Sequence, residues 1–341
     1  MGKPHARTGG RRGKKRESVF FVSLVFSPDA TAENAKVERS RKGMKKKENQ
    51  KQRRFTRSDL LGWCVLLPGV ILFSFFVWVP MLSSVKLSFY STKGFQTQDF
   101  VWFRNYMNVF RHPDFLAAFK NTFVYIAWSL IIGFFTPMVM AILVSDTVLF
   151  KGFFRAAIYF PAMVPGLASA LIANFFFLGS NTGVMNILIG KLGLEPQTWL
   201  SHSAWTIPII VILCTWKGAG GTSLIYMAGI GGISQDLYEA AAIDGAGYFK
   251  RIRHIVLPSV MPLAKTLLIL QVISVFQILY EPLIMTNGGP NNASLSIMQL
   301  VYRYAFEKFD YASACALSVV ICLVLVAISA VYNKFINKEE A

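Results

Sequence analysis

From residue 60 onward the chain is divided into six apolar blocks, at about 60–82, 119–144, 156–178, 204–228, 263–284 and 310–333. Each approaches or exceeds the roughly 20 residues a helix needs to cross a hydrocarbon core ~30 Å thick. No water satisfies a free amide in that core, so each block must close its own hydrogen bonds, as an α-helix does. Composition agrees. Hydrophobic residues make up 54% of the chain and mean hydropathy is +0.45. Charged residues are only 16%, against about 25% in a soluble domain. The expected fold is all-α: a polytopic membrane protein with six transmembrane helices over residues 59–338.

Proline falls inside several blocks, at Pro68, Pro137, Pro165 and Pro208, which neighbouring helices tolerate by satisfying the freed carbonyls. Trp63, Trp78, Trp128, Trp199 and Trp205 lie mostly near block ends, where an amphipathic ring anchors at the interface. Cys64, Cys214, Cys315 and Cys322 have neither metal-ligand nor disulfide spacing and read as small buried apolar residues.

A net charge of +17 would suggest a nucleic-acid partner if it were spread over the body. It is not. Residues 1–58 hold 18 Lys and Arg against 5 Asp and Glu, leaving the remainder 17 against 13. The expected partner of the body is therefore the bilayer, with no nucleic acid, and the basic tail reads as disordered and cytoplasmic. Within it, Val19–Phe26 imitates a secretory signal but is too short to span, and cleavage after it would strand a basic segment outside. Translation from Met44 gives the simpler lead-in to a first span. The positive-inside rule places the 44–58 segment, Lys151 and Arg155, the 229–262 loop, Lys334 and Lys338 on one side. Both termini are then expected in the cytoplasm. Lys86, Lys93, Arg104 and Arg111 on the outer loop 83–118 oppose this assignment, and the basic lead-in outweighs them.

No catalytic set is visible. His5, His112, His202 and His254 are scattered, and no phosphate-binding loop occurs. Gly218-Ala219-Gly220-Gly221 lacks the preceding strand of a nucleotide site and reads as close helix packing or local unwinding. Ionisable and polar residues in the blocks are the functional candidates. Lys217 lies near the middle of the fourth block and Glu281 near the outer end of the fifth. Gln271, Ser274 and Gln277 recur at three-residue spacing, on one helical face that lines either a partner helix or a wet cavity.

The longest ordered polar interruption is Glu239–Pro258, EAAAIDGAGYFKRIRHIVLP. Helix formers from Leu237 to Ile243, a turn at Gly245-Ala246-Gly247 and a second helical run stopping near Pro258 predict a helix-turn-helix between two spans. Glu239, Ala240, Ala241, Gly245, Ile255, Leu257 and Pro258 match EAA-x3-G-x9-I-x-L-P, with Asp244 before the glycine and Val256 at free positions. That signature resembles the membrane permease subunits of binding-protein-dependent ABC importers. FRNYMNVFRHPDFLAAFKNTF at 103–123, RAAIYFPAMVP at 155–165, TNGGPNNAS at 286–294 and YRYAFEKFDYASACALSVV at 302–320 resemble the sugar-type branch.

The resemblance implies a non-catalytic pore subunit importing a sugar or sugar-like solute, with the 229–262 loop docking on a separate ATPase dimer. ATP and magnesium would sit on that ATPase, and this chain would bind no cofactor. A second homologous permease and an extracytoplasmic substrate-binding protein, received by loops 83–118, 179–203 and 285–309, complete the expected complex. By distance from Glu239, the resemblance puts Trp216, Lys217, Gly218, Gly221 and Gln271 at solute-contacting positions. Val275 and Ile278 stand where such relatives have polar side chains, so the partner subunit or Trp216, Lys217 and Gln271 would have to recognise the solute. Glycerol 3-phosphate is an alternative cargo. An ion-coupled transporter would want repeats and paired intramembrane acids, and neither is visible.

Overall fold

A computed structural model describes residues 57–94, 96–146 and 149–339 of the chain. The basic tail expected over 1–58, and a start at Met44, therefore lie almost wholly outside the described residues. The described residues divide into two units, the first ending at Val77 and the second beginning at Trp78, and the boundary falls in a π-helical turn, Ser74–Trp78. Helix α1 is Leu61–Leu87. A hairpin follows, β1 (Tyr90–Lys93) antiparallel to β2 (Gln96–Phe100), which the all-α expectation had not included. Next come α2 (Arg104–Arg111), α3 (Pro113–Ser145), α4 (Lys151–Met163), α5 (Gly166–Phe176) and α6 (Val184–Gly190). The remainder is α7 (Ser203–Gly231), α8 (Gln235–Ile243), α9 (Tyr248–Phe276), α10 (Tyr280–Met285), α11 (Ile297–Tyr302) and α12 (Tyr311–Glu339).

Among the described residues, α1, α3, α7, α9 and α12 are each long and apolar enough to cross a membrane. The third apolar block is different. Instead of one span it is α4 and α5, bent by 93°. Pro165 causes the break: steric pressure on the preceding residue pushes Val164 to an extended conformation (φ −70°, ψ 129°), and Pro165 itself stands at the N-cap of α5. With that bent pair counted as one span the total is six.

The fifth span also departs from expectation. It runs 248–276 rather than 263–284, so the second helix of the polar interruption does not stop near Pro258 but is the start of α9 itself. A π-helical turn at Ile252–Val256, in which Leu257 N–H bonds Ile252 O, widens the ladder just ahead of Pro258. The hydroxyls of Ser259 and Thr266 donate to Ile255 O and Pro262 O. At the other end α9 stops at Phe276, which leaves Gln277 at its C-cap and Glu281 in the short helix beyond.

Within residues 78–341, α7 packs on α3 and α4, and three clusters of buried side chains hold the helices together. Gly220 sets the closest approach: a Cβ there would strike the Ile158 carbonyl. The glycine run therefore serves packing, and α7 is not unwound at it. Cys64 and Cys322 are exposed rather than buried, while all four cysteines are free thiols. No group of three metal-ligating side chains occurs among the described residues.

Beyond α9 the chain folds back onto the start of α3. Tyr125 Oη donates to Ser294 O (2.9 Å), Asn121 Nδ2 to Asn292 O (2.6 Å), and Asn292 Nδ2 to Asp114 Oδ1 (2.8 Å). Arg303 Nη2 donates to Asn287 O at 2.7 Å. Asn287, Asn291 and Asn292 all take positive φ, the conformation asparagine tolerates better than other side-chain-bearing residues. This explains why the 286–294 segment is so rich in Asn and Gly.

Candidate functional site

A cavity of about 530 Å³ lies among α3, α7, α9 and the start of α10. Each helix presents one face to it. From α3 come Tyr125, Ser129, Gly133 and Pro137, four residues apart. From α7 come Cys214, Thr215, Gly218 and Thr222, and from α9 come Gln271, Ser274 and Val275. Gln277, Ile278, Tyr280 and Glu281 continue the wall past the end of α9.

Gln271 spans two of these helices. Its Nε2 donates to both the carbonyl and the hydroxyl oxygen of Ser129, each at 2.7 Å. Ser129 opens the π-helical turn Ser129–Gly133, where its carbonyl also accepts from Phe134 N–H at 3.0 Å. So the polar stripe on α9 answers to both of its readings: Gln271 fastens a partner helix, while Ser274 and Gln277, both exposed, face open space.

Of the pathway residues expected from sequence, Gly218, Gln271, Ser274 and Gln277 lie on this wall, as do Val275 and Ile278. Trp216, Lys217 and Gly221 do not. Successive residues of a helix point ~100° apart, so Thr215 and Gly218 face the cavity while Trp216 and Lys217 turn away. Lys217 Nζ reaches Gly166, 3.0 Å from where a Cβ on that glycine would stand, at the bend between α4 and α5. Sequence reasoning missed Ser129, Thr215, Thr222 and Tyr280. A signal existed for the α7 pair, since Thr215, Gly218 and Thr222 share a face at helical spacing.

The second candidate site stands at the opposite end of α9. Ser234 caps α8, its hydroxyl accepting from Asp236 N–H. The helix ends in the turn its sequence foretold: Gly245 has φ +68°, Ala246 N–H bonds Ala241 O at 2.8 Å, and Gly245 N–H bonds Ala242 O at 3.1 Å. This paired arrangement needs a left-handed residue after the cap, and glycine meets it without a Cβ penalty. Glu239, Ala240, Asp244 and Gly245 are exposed, Ala241 partly so. Around them Leu237, Ile243 and Phe249 are 50%, 88% and 82% exposed, an apolar surface at the tip of a helical hairpin. The far end of the motif does the opposite. Val256 is buried, and Leu257 packs on the cluster that includes Val260, Ala264 and Tyr226, rooting the hairpin in α7 and α9. Ile255 is partly buried and Pro258 exposed. Burial, and then the Asp146 carboxylate, hold the Tyr238 phenol above its ordinary range, with Arg251 opposing.

Residues 133–338 match the family described as binding-protein-dependent transport system inner membrane component. The trehalose/maltose transport system permease protein MalF of Thermococcus litoralis is 30% identical over 289 residues, 82% of this chain and 94% of that one. A probable ABC transporter permease protein, YurN, of Bacillus subtilis is 28% identical over 291 residues, 83% and 99% of the two chains. Among solved structures, a bacterial alginate ABC transporter in complex with an alginate pentasaccharide-bound periplasmic protein superposes with a TM-score of 0.72. It is 26% identical, over 82% of this chain and 94% of that one. With its membrane-spanning helices and this match, the chain is an integral membrane protein of the binding-protein-dependent transport system inner membrane component family.

Proposed function

We propose that the chain is the pore-forming permease subunit of an ABC importer for a saccharide, and that the α8 hairpin receives the driving force from a separate ATPase. One observation carries the second part: an exposed apolar tip, Leu237, Ile243 and Phe249, set around a turn built on the left-handed Gly245. An uncovered patch of this kind on a helical tip marks a protein contact. Its rooting through Leu257, packed on the cluster that holds Tyr226 of α7 and Val260 of α9, gives a displacement of the tip a direct path to two walls of the cavity.

The saccharide assignment is supported by relatives named for trehalose and maltose and for alginate. The periplasmic protein in the alginate complex supports delivery by a binding protein. In this chain it would meet the clamped 286–296 segment and the β1–β2 hairpin, at the end of α9 away from α8. A second permease and an ATPase dimer complete the assembly, ATP and magnesium sitting on the ATPase. The tip of α8, both termini and the basic tail are cytoplasmic, and the membrane is the plasma membrane. The pump is then a two-state assembly biased by ATP at one end and by the loaded binding protein at the other.

The test is uptake by proteoliposomes holding the complete complex. Wild type takes up a labelled saccharide only with ATP inside and binding protein outside. Glu239→Lys, which reverses a charge on the exposed face of α8, assembles its spans but transports nothing. Uptake by wild type without ATP would refute the proposal.

A further inference from the structure

Taking the chain as a saccharide permease, the cavity wall goes further and bears on the class of saccharide. We propose that the solute is a neutral saccharide rather than one bearing carboxylate or phosphate groups, and that Glu281 sets this preference by accepting hydrogen bonds from its hydroxyls.

Among the described residues, the wall contains no lysine, arginine or histidine, and its one acidic side chain is Glu281. The nearest candidate cation on the lining helices, Lys217, is turned out of the cavity toward Gly166. An anionic solute entering here would lose water, meet a carboxylate, and find no counter-charge among these residues. Like charges repel, and building such a clash is a direct route to specificity. A neutral sugar meets the reverse situation. Its hydroxyls donate, a carboxylate only accepts, and a hydrogen bond to an ionised acceptor is roughly twice as strong as one between neutral groups.

The rest of the wall suits the same ligand. Ser274, Thr215 and Gln277 can each donate or accept, and Tyr280, largely exposed beside Glu281, offers a ring face. Gln271 is already committed to Ser129, so its amide is not free to stand in for a cation. Glu281 reaches the cavity only because α9 ends at Phe276 and the chain turns into α10. A straight fifth span ending at 284 would have put it at the rim.

The experiment uses the complete transporter with its binding protein in proteoliposomes. Labelled neutral oligosaccharides (maltotriose, xylotriose, arabinotriose, raffinose) are compared with trigalacturonate and glycerol 3-phosphate. The expected result is uptake of at least one neutral oligosaccharide and of neither anion. Uptake of trigalacturonate or glycerol 3-phosphate at a comparable rate overturns the proposal. If trigalacturonate is the solute, the saccharide reading survives it. Failure to take up any saccharide, neutral or charged, overturns the saccharide reading and this proposal with it. For the accepted neutral solute, Glu281→Gln is expected to lower uptake roughly tenfold, at unchanged yield of assembled complex, with Glu281→Asp partly restoring it. Wild-type uptake by Glu281→Gln overturns the role of the carboxylate.

Discussion

Two glycines of the α8 hairpin, two residues apart, offer a controlled test of whether the shape of its tip matters. Gly245 has φ +68° and Gly247 has φ −67°. An added Cβ would meet nothing within 4 Å at either position, so alanine at both differs only in backbone strain. At Gly245 the left-handed conformation costs an L-residue about 1–2 kcal/mol; at Gly247 the conformation is ordinary for alanine. If the ATPase recognises the hairpin as folded here, Gly245→Ala must supply that strain energy on docking. Its affinity for the ATPase then falls roughly 5- to 30-fold, while Gly247→Ala stays within about twofold of wild type. Titrating purified ATPase subunit onto permease in nanodiscs measures both. Equal affinities for the two variants would refute the claim that the left-handed turn presents the docking surface.

Other outcomes follow from packing and charge. Gly220→Val drives a side chain into the Ile158 carbonyl and should destabilise the protein by about 3 kcal/mol or more, seen as a lowered Tm in detergent. Gly218→Ala, with open space at its Cβ, should not lower it. Gln271→Leu removes both bonds to Ser129 and should cost about 1–2 kcal/mol, with a matching loss of Tm. At the other end of the spans, His112 Nε2 lies 2.9 Å from Lys308 Nζ, and burial together with that ammonium lowers the His112 pKa below 6.5, against a smaller opposing pull from Asp114. The unfolded chain therefore binds the proton more readily, and stability, complete above pH 6.5, falls as pH drops through that value. Thermal unfolding followed from pH 7.5 to 5.5 should show this slope, and His112→Gln should flatten it.

The spans were legible because a bilayer demands long apolar runs, and few sequences satisfy that by accident. Their ends were less so. Ile278, Leu279 and the apolar residues after them continue the pattern past Phe276, so nothing in hydropathy marks the break that brings Glu281 into the cavity. Pro165 could be seen, but whether a proline kinks a span or divides it depends on its neighbours: Pro258 and Pro262 are absorbed in α9, whereas Pro165 separates α4 from α5 at 93°. The glycine turn was legible because its cause is local, a single left-handed residue at Gly245. The cavity depends on four separated segments, and of the α7 residues reached by counting from Glu239 only Gly218 lies on its wall. One residue along a helix is a turn of ~100°, enough to put Thr215 on the wall and Trp216 off it. The π-helical turn at Ser129–Gly133, which positions the partner of Gln271, has no marker in composition at all.

The central claim is that the tip of α8 is where an ATPase engages this chain. Ile243, the most exposed of the tip's apolar residues at 88%, is the position to interrogate: replaced by a photo-reactive phenylalanine analogue in an actively transporting complex, it should give on illumination an adduct between this chain and the ATPase subunit. An active complex that yields no such adduct, or one only with the binding protein, would contradict the account.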